Sequence, residues 1–406
     1  MKKYILLAAL TLSLCVLSST YTQAQTTNNN AIYACYHKTT GDLRKVSGPG
    51  QCKNTEIQTS WNIAGVPGPQ GPKGDKGDKG DTPNLAGVLS RLNALETATA
   101  GLPAIEARLT LLESLVNPLA YVSFAFGSNV SVINTTSNTV VANVTVGSQP
   151  HGLAVNPSRT RLYVANSESD TVSVVDTMTN TVVATINVGD EPERVAINPS
   201  GTRVYVSNAA SDNVSVINTT TNTVIATVNV GDVPFDIAVN PSGTRLYVGN
   251  VNSNNISLID ATANTVVNTI NLVGNPVAVA VNPSGTRAYV VIRDTNVSVI
   301  DTATNTVNAT VNVYNPVAVA VNPSGTRVYV ASNGGGNVSV IDTATNTVVA
   351  TVNVGFAPTA IAVNPSGTRV YVVNLNSSDI SVVDTITNTV VATINVGSRP
   401  IGIAVR

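Results

Sequence analysis

The chain has 406 residues and a formal net charge of −1, with 11% charged, 4% aromatic and 43% hydrophobic residues. The charged share is less than half of what soluble domains usually carry, and a near-neutral balance supplies no field to attract nucleic acid. Two histidines, His37 and His151, exclude sites built on several imidazoles, and three cysteines, Cys15, Cys35 and Cys52, exclude a four-thiolate zinc site.

Lys2 and Lys3 precede an apolar run from Tyr4 to Leu17, and Thr22-Gln23-Ala24 places small residues at the −3 and −1 positions before Gln25. Residues 1–24 therefore read as a secretory signal peptide, too short for a transmembrane span. Lipidation at Cys15 is the competing reading. It would need a small residue where Leu14 stands. No later stretch is long and apolar enough to cross a membrane. The expected location is extracellular or at the cell surface, or periplasmic in a two-membrane cell. Charge is unevenly spread: residues 1–119 hold 11 basic and 8 acidic side chains, residues 120–406 hold 11 and 15, and every lysine lies at or before Lys79. Such a step predicts more than one module.

Residues 25–64 form a small module with strand-like runs at 31–36 and 43–46 and the single tryptophan, Trp61. Cys35 and Cys52 are the two cysteines left after signal removal, and an oxidising compartment favours a disulfide between them. Their spacing is not that of a C-x-x-C redox pair. With its ACY…TGDLR…C…W-N pattern the module resembles one found just before bacterial collagen-like segments.

Glycine then occupies every third position from Gly65 to Gly80, in the run GVP-GPQ-GPK-GDK-GDK-GDT. Only glycine fits the crowded axis of three polyproline-II chains, so residues 65–82 predict a short collagen-like segment rather than an aperiodic linker. In residues 83–118, Leu85, Val88, Leu92 and Leu95, then Ile105, Leu109, Leu112 and Val116, follow helical spacing on either side of Gly101-Leu102-Pro103. A trimeric coiled coil that clamps the collagen run, giving a homotrimer, and an amphipathic hairpin are both compatible with this pattern.

From residue 119 one unit recurs. Asn-Pro falls at 156–157, 198–199, 240–241, 282–283, 322–323 and 364–365, spaced by 42, 42, 42, 40 and 42 residues. A period near 40 made only of Val/Ile/Thr-rich strands predicts a propeller of four-stranded blades. NPSGTR joins strands a and b, YVxN ends strand b, and DTATNT joins strands c and d. YVAN (163–166), YVSN (205–208), YVGN (247–250) and YVVN (371–374), with NPSGTR and VIDTATNTVVATINVG around them, closely resemble YVTN-type β-propeller repeats. That resemblance implies the fold and an exported or surface location, more than any reaction.

Residues 121–147 supply strands b, c and d without a preceding a, and PIGIAVR at the C-terminus is a lone strand a. Joined, they make a seventh blade. The fold class expected is all-β: a seven-bladed propeller at 119–406, preceded by the collagen-like and helical stalk and the small disulfide module.

The a–b and c–d turns share one face and scarcely vary. There Arg161, Arg203, Arg245, Arg287, Arg327 and Arg369 are expected to pair within their blades with Asp176, Asp260, Asp301, Asp342 and Asp384, with Asn218 opposite Arg203 as the exception. The d–a and b–c loops share the other face and differ between blades. His151, Glu193, Arg194 and Asp236 open strand a on three consecutive blades, beside Asp190, Glu191 and Asp232, with Glu168, Asp170, Asp212, Arg293 and Asp294 in b–c loops. These four are the candidate ligand-binding residues, at the axial mouth. Drift of solvated loops is the alternative explanation of the same variation. Glu193 and Asp236 could serve as an acid–base pair or hold Ca²⁺. No P-loop, G-x-S-x-G or H-E-x-x-H motif is present, no catalytic residue is assigned, and no cofactor or metal is implied. The expected role is a secreted, non-enzymatic binding or display protein with an extracellular protein or glycan as partner. The alternative is an exported enzyme or small-ligand binder using the mouth.

Overall fold

The computed structural model describes residues 31–37, 43–46, 52, 56–62 and 118–406. They belong to two units, residues 1–82 and 83–406, each described by itself. The expected signal peptide, the Gly-X-Y run at 65–82 and the helical pattern of 83–117 lie outside the described residues.

In the first unit, β1 (Ala31–His37) is the centre of an antiparallel sheet, flanked by β2 (Leu43–Val46) and β3 (Glu56–Asn62). The first two are the strands expected at 31–36 and 43–46, and β3 carries Trp61. Cys52 is disulfide-bonded, and the side chain of Cys35 lies outside the described residues.

The second unit contains seven four-stranded antiparallel sheets. Blades 2 to 7 begin at Pro150, Pro192, Pro234, Pro276, Pro316 and Pro358, and each runs through strands a, b, c and d in chain order. Blade 3 is typical: Pro192–Ile197, Arg203–Asn208, Asn213–Asn218 and Thr223–Asn229. Blade 1 takes strand a from the C-terminus (Pro400–Val405) and strands b to d from Leu119–Phe124, Asn129–Asn134 and Thr139–Thr145. Ile403 faces Val122 and Ala404 faces Tyr121 in that ladder. The join is the one expected, shifted by one or two residues. Strand a starts at the recurrent proline, which is tolerated as the first residue of a strand.

The seven strands a touch one another in a closed ring, blade 1 completing the contact between blades 7 and 2. Strands b and c are therefore covered on both faces by neighbouring blades. That is why YV and VSV runs are continuously apolar rather than alternating: strand b buries five consecutive residues in every blade. The core lies between blades. Tyr163, Val172, Val174 and Ile186 of blade 2 pack with Val195, Val204, Val206 and Ile217 of blade 3. Blade 1 joins blade 2 through Tyr121, Val130 and Val164, and blade 7 through Ala120, Phe124 and Val373. One repeat alone could not bury its apolar faces, so stability depends on ring closure.

The turns follow from local chemistry. In NPSGTR, Gly201, Gly243, Gly285, Gly325 and Gly367 all have φ near +70°, the left-handed conformation that costs glycine nothing. Blade 2 reads NPSRTR, and Arg159 holds the same conformation at φ 60°. In the c–d turns Asn138, Asn180, Asn222, Asn264, Asn305, Asn346 and Asn388 take φ between 53° and 56°, a conformation asparagine tolerates.

Four of the expected intrablade ion pairs form on this lower face: Arg161–Asp176 at 2.5 Å, Arg327–Asp342 at 2.6 Å, Arg369–Asp384 at 2.5 Å, and Arg245–Asp260. Each aspartate also caps its turn, as Asp342 does by accepting from the backbone N–H of Ala344 and Thr345. Arg203 is the foreseen exception. Its guanidinium donates to the carbonyl of Ala261 in the next blade. Arg287 departs from expectation. It makes no ion pair with Asp301 and reaches the Thr343 carbonyl of blade 6. A guanidinium has more donors than one carboxylate can use, so an orphan carbonyl across the blade junction competes for it.

Candidate functional site at the axial mouth

Strands a have no ladder partner on their inner side, and the seven surround a cavity of about 210 Å³. Every blade contributes to its wall the second residue after the recurrent proline: Gly152, Arg194, Asp236, Ala278, Ala318, Ala360 and Gly402. Arg194 and Asp236 are the only charged residues of the wall, and apolar side chains such as Leu153, Val277, Val279, Val317, Val319, Ile361 and Ile403 supply nearly all of the rest. The mouth is thus polar over blades 3 and 4 and apolar over blades 5, 6, 7 and 1.

His151 and Glu193 join the strands a of blades 2 and 3. The Nδ1 of His151 lies 2.9 Å from Oε2 of Glu193. Arg194 sits 3.8 Å from the same oxygen, donates to the Glu193 carbonyl at 3.2 Å and lies over the Phe235 ring at 4.9 Å. Burial pushes the Glu193 carboxyl up, but the hydrogen bond from His151 and the charge of Arg194 outweigh it and leave the pKa below the usual value. Asp236 accepts a hydrogen bond from the backbone N–H of Val279 in the next blade, at 2.7 Å. Burial dominates there and raises its pKa, against the charge of Arg194 and the N–H groups of Val279 and Ile237.

The four residues expected at the mouth are therefore close in the fold but act as two groups. His151 and Glu193 brace one blade junction, and Arg194 and Asp236 line the cavity. Glu193 and Asp236 are held by different partners, the first by His151 and the second by the Val279 N–H. Among the described residues, no cluster of three or more His, Cys, Asp or Glu could hold a metal ion.

Two glycines make the close approach of strands a feasible. A Cβ on Gly402 would lie 2.3 Å from the His151 carbonyl oxygen and 2.5 Å from Ser123 Oγ, which itself donates to that carbonyl. A Cβ on Gly152 would lie 2.6 Å from Arg194 Cα.

Outside the mouth, sequence reasoning missed how the upper loops are held. Ser169, Ser211, Ser253 and Ser377 of the b–c loops each accept from the backbone N–H of the residue two before the proline: Ser148, Asp190, Asp232 and Phe356. Asp170 and Asp212, taken with the mouth residues, instead accept from the N–H groups of Glu191 and Val233. They are loop braces. The residue just before the proline is left-handed in most blades, and at Val233 (φ 53°) a β-branched side chain is forced into that conformation. The signal for this brace was present, as a serine two residues before strand c in blades 2, 3, 4 and 7. The YVxN asparagines were also legible only as a motif: Asn166, Asn208, Asn250 and Asn374 are buried and donate to Ser173, Ser215, Ser257 and Ser381, each at 2.9 Å.

With one frame repeated, the loop tips differ. Phe126, Val273, Tyr314 and Phe356 are 63%, 95%, 75% and 78% exposed, a set the sequence reading did not single out.

A family model described as YNCE-like beta-propeller matches residues 153–252. No curated protein matches. Among solved structures, hydrazine synthase of Kuenenia stuttgartiensis is similar at 25% identity and a TM-score of 0.62, over 67% of this chain and 93% of that one. A functionally unknown protein of Desulfotomaculum acetoxidans is similar at 19% identity and a TM-score of 0.64, over 71% and 98%. A putative 6-phosphogluconolactonase of Bacteroides uniformis is similar at 15% identity and a TM-score of 0.61, over 71% and 100%. These likenesses agree on the propeller, and their titles span enzymes and a protein of unknown function.

Proposed function

We propose that the protein is a secreted, non-enzymatic binding or display protein whose propeller offers its upper face to an extracellular protein or glycan. One observation carries this reading. In every blade the residue after strand b donates its N–H to the carbonyl of the residue before the recurrent proline, so the upper loops share a backbone tie while their outward side chains change from blade to blade, which is how a rigid scaffold presents a surface. The signal peptide at 1–24 supports export. The Gly-X-Y run at 65–82, with the helical pattern of 83–118, supports a trimeric stalk, on which three weak sites would gain avidity. Purified full-length protein, applied to arrays of extracellular proteins and glycans, tests the reading. Capture that is lost on substituting upper-loop residues supports it, and no capture overturns it.

A second reading has its own observation, the cavity lined by Arg194 and Asp236. A small ligand with both polar and apolar parts would fit the divided wall. Arg194→Ala should abolish such binding and leave capture by the loop tips intact.

A further inference from the structure

On the upper face the exposed apolar loop tips are not scattered. Numbering round the ring, Val273 lies in the loop between blades 4 and 5, Tyr314 between 5 and 6, and Phe356 between 6 and 7. Phe126 is in the b–c loop of blade 1, under the guanidinium of Arg399 at 5.0 Å. The mouth below these loops is mostly apolar over the same blades, through Val277, Val317 and Ile361. Large side chains left this exposed in one sector of a monomer mark an interaction surface.

The other sector has the opposite character. Over blades 2 to 4 the upper face carries Glu168, Asp170, Asp190, Glu191, Glu193, Asp212, Asp232 and Asp236, against a single arginine, Arg194. Arg194 is already engaged by Glu193 and Phe235. Glu168, Asp190, Glu191 and Asp232 are exposed and make no ion pair among the described residues. The negative potential of this sector is therefore not cancelled from within the face.

Resting on the reading of the upper face as a binding surface, we infer that its ligand is a polypeptide segment with basic side chains at one end and apolar or aromatic ones at the other. The basic end lies over blades 2 to 4 and the apolar end over blades 5 to 7 and blade 1. Charge complementarity fixes the first half, and the exposed apolar and aromatic tips, which bury apolar surface on contact, fix the second. A uniformly acidic or a uniformly neutral partner would leave one sector unmatched. An eleven-residue segment, extended at about 3.3 Å per residue, reaches roughly 35 Å and can engage several blades at once.

The test uses the full chain and a labelled synthetic peptide, Lys-Lys-Ala-Lys-Gly-Ser-Leu-Phe-Ala-Leu-Phe. Its controls replace every Lys by Gln, or every Leu and Phe by Ser. The parent peptide should bind at least about 10-fold more tightly than either control, and added salt should weaken it. The double variant Asp190→Lys/Asp232→Lys should cost the parent about 10-fold, and Tyr314→Ser/Phe356→Ser a similar factor. Met178→Ser/Ile386→Ser on the lower face should leave affinity unchanged. These sites are exposed loop positions, and a thermal melt of each variant verifies the fold. Equal binding of all three peptides, or indifference to the upper-face variants, overturns the inference. If a glycan is captured instead, and the same variants abolish that capture, the binding-face reading survives and the polypeptide ligand is overturned.

Discussion

The two faces of the propeller are made from the same repeat and spend its variation differently. On the lower face NPSGTR and the c–d turn recur almost unchanged, and Arg161, Arg245, Arg327 and Arg369 meet an aspartate of their own blade. On the upper face the backbone is also held in every blade, by the bond from the N–H after strand b to the carbonyl before the recurrent proline. Yet the tips run from Asp190 and Asp232 to Tyr314 and Phe356. Repetition here fixes geometry on both sides and leaves chemistry free on one.

The largest expected effect tests whether both faces hang on one closed ring. Deleting Pro400–Arg406 removes the inner strand of blade 1, its ladder to Leu119–Phe124 and the bond from Arg406 to the Arg159 carbonyl. The loss should be on the order of 5 kcal/mol or more, because every blade junction is part of the core. Differential scanning calorimetry should show a melting temperature lower by about 10 °C or more. An unchanged melt would contradict the seven-blade closure.

Next comes the close packing at the mouth. Gly402→Val should destabilise by about 2–4 kcal/mol, since its side chain would overlap the His151 carbonyl and Ser123 Oγ. Denaturant titration checks it, and a loss below about 0.5 kcal/mol would mean the strands a are looser than described.

The carboxyls of Asp236 and Glu193 give the acidic sector of the upper face a pH signature. A carboxyl with a raised folded pKa is a cost that appears as pH rises above its unfolded pKa and is complete above the folded one. Asp236→Asn can keep the bond from Val279 N–H, so it should melt higher than the wild type at pH 8. The gap should close as pH falls to about 3. Glu193 has the opposite sign: its lowered pKa means stability present at neutral pH and lost as pH falls through its folded value. Glu193→Gln should therefore melt lower than the wild type at pH 7, with the difference shrinking in acid.

Smaller effects are expected on the constant face. Arg327→Met should cost no more than about 1 kcal/mol, because a half-exposed ion pair is screened by water. Arg159→Gly should be neutral or stabilising by up to about 1 kcal/mol, as it relieves a left-handed arginine while the backbone carbonyl keeps its partners. Chemical denaturation of both variants separates these outcomes.

Blade number, strand order and the composite blade were legible because the Asn-Pro period counts repeats and the orphan PIGIAVR names its missing partner. The strands were legible because burial on both faces demands unbroken Val/Ile runs. Partner choice was less so. Arg287 stands before an aspartate like its counterparts but reaches across the junction to Thr343, a decision made by distances between blades that no repeat spells out. At the mouth, chain position placed His151, Glu193, Arg194 and Asp236 together, but only the fold sorted them into a braced pair and a cavity-lining pair. Phe126, Tyr314 and Phe356 escaped notice because a lone aromatic in a strand-rich sequence reads as core until its exposure is known.

The central claim, that partners meet the upper face, is tested most directly by hydroxyl-radical footprinting of the full chain with and without a partner captured on the arrays. Both faces carry exposed, oxidisable side chains: Phe126, Tyr314 and Phe356 above, Met178 and Ile386 below. Protection of the first three is expected, with Met178 and Ile386 unchanged. Protection of Met178 and Ile386 with the upper aromatics still reactive would contradict it.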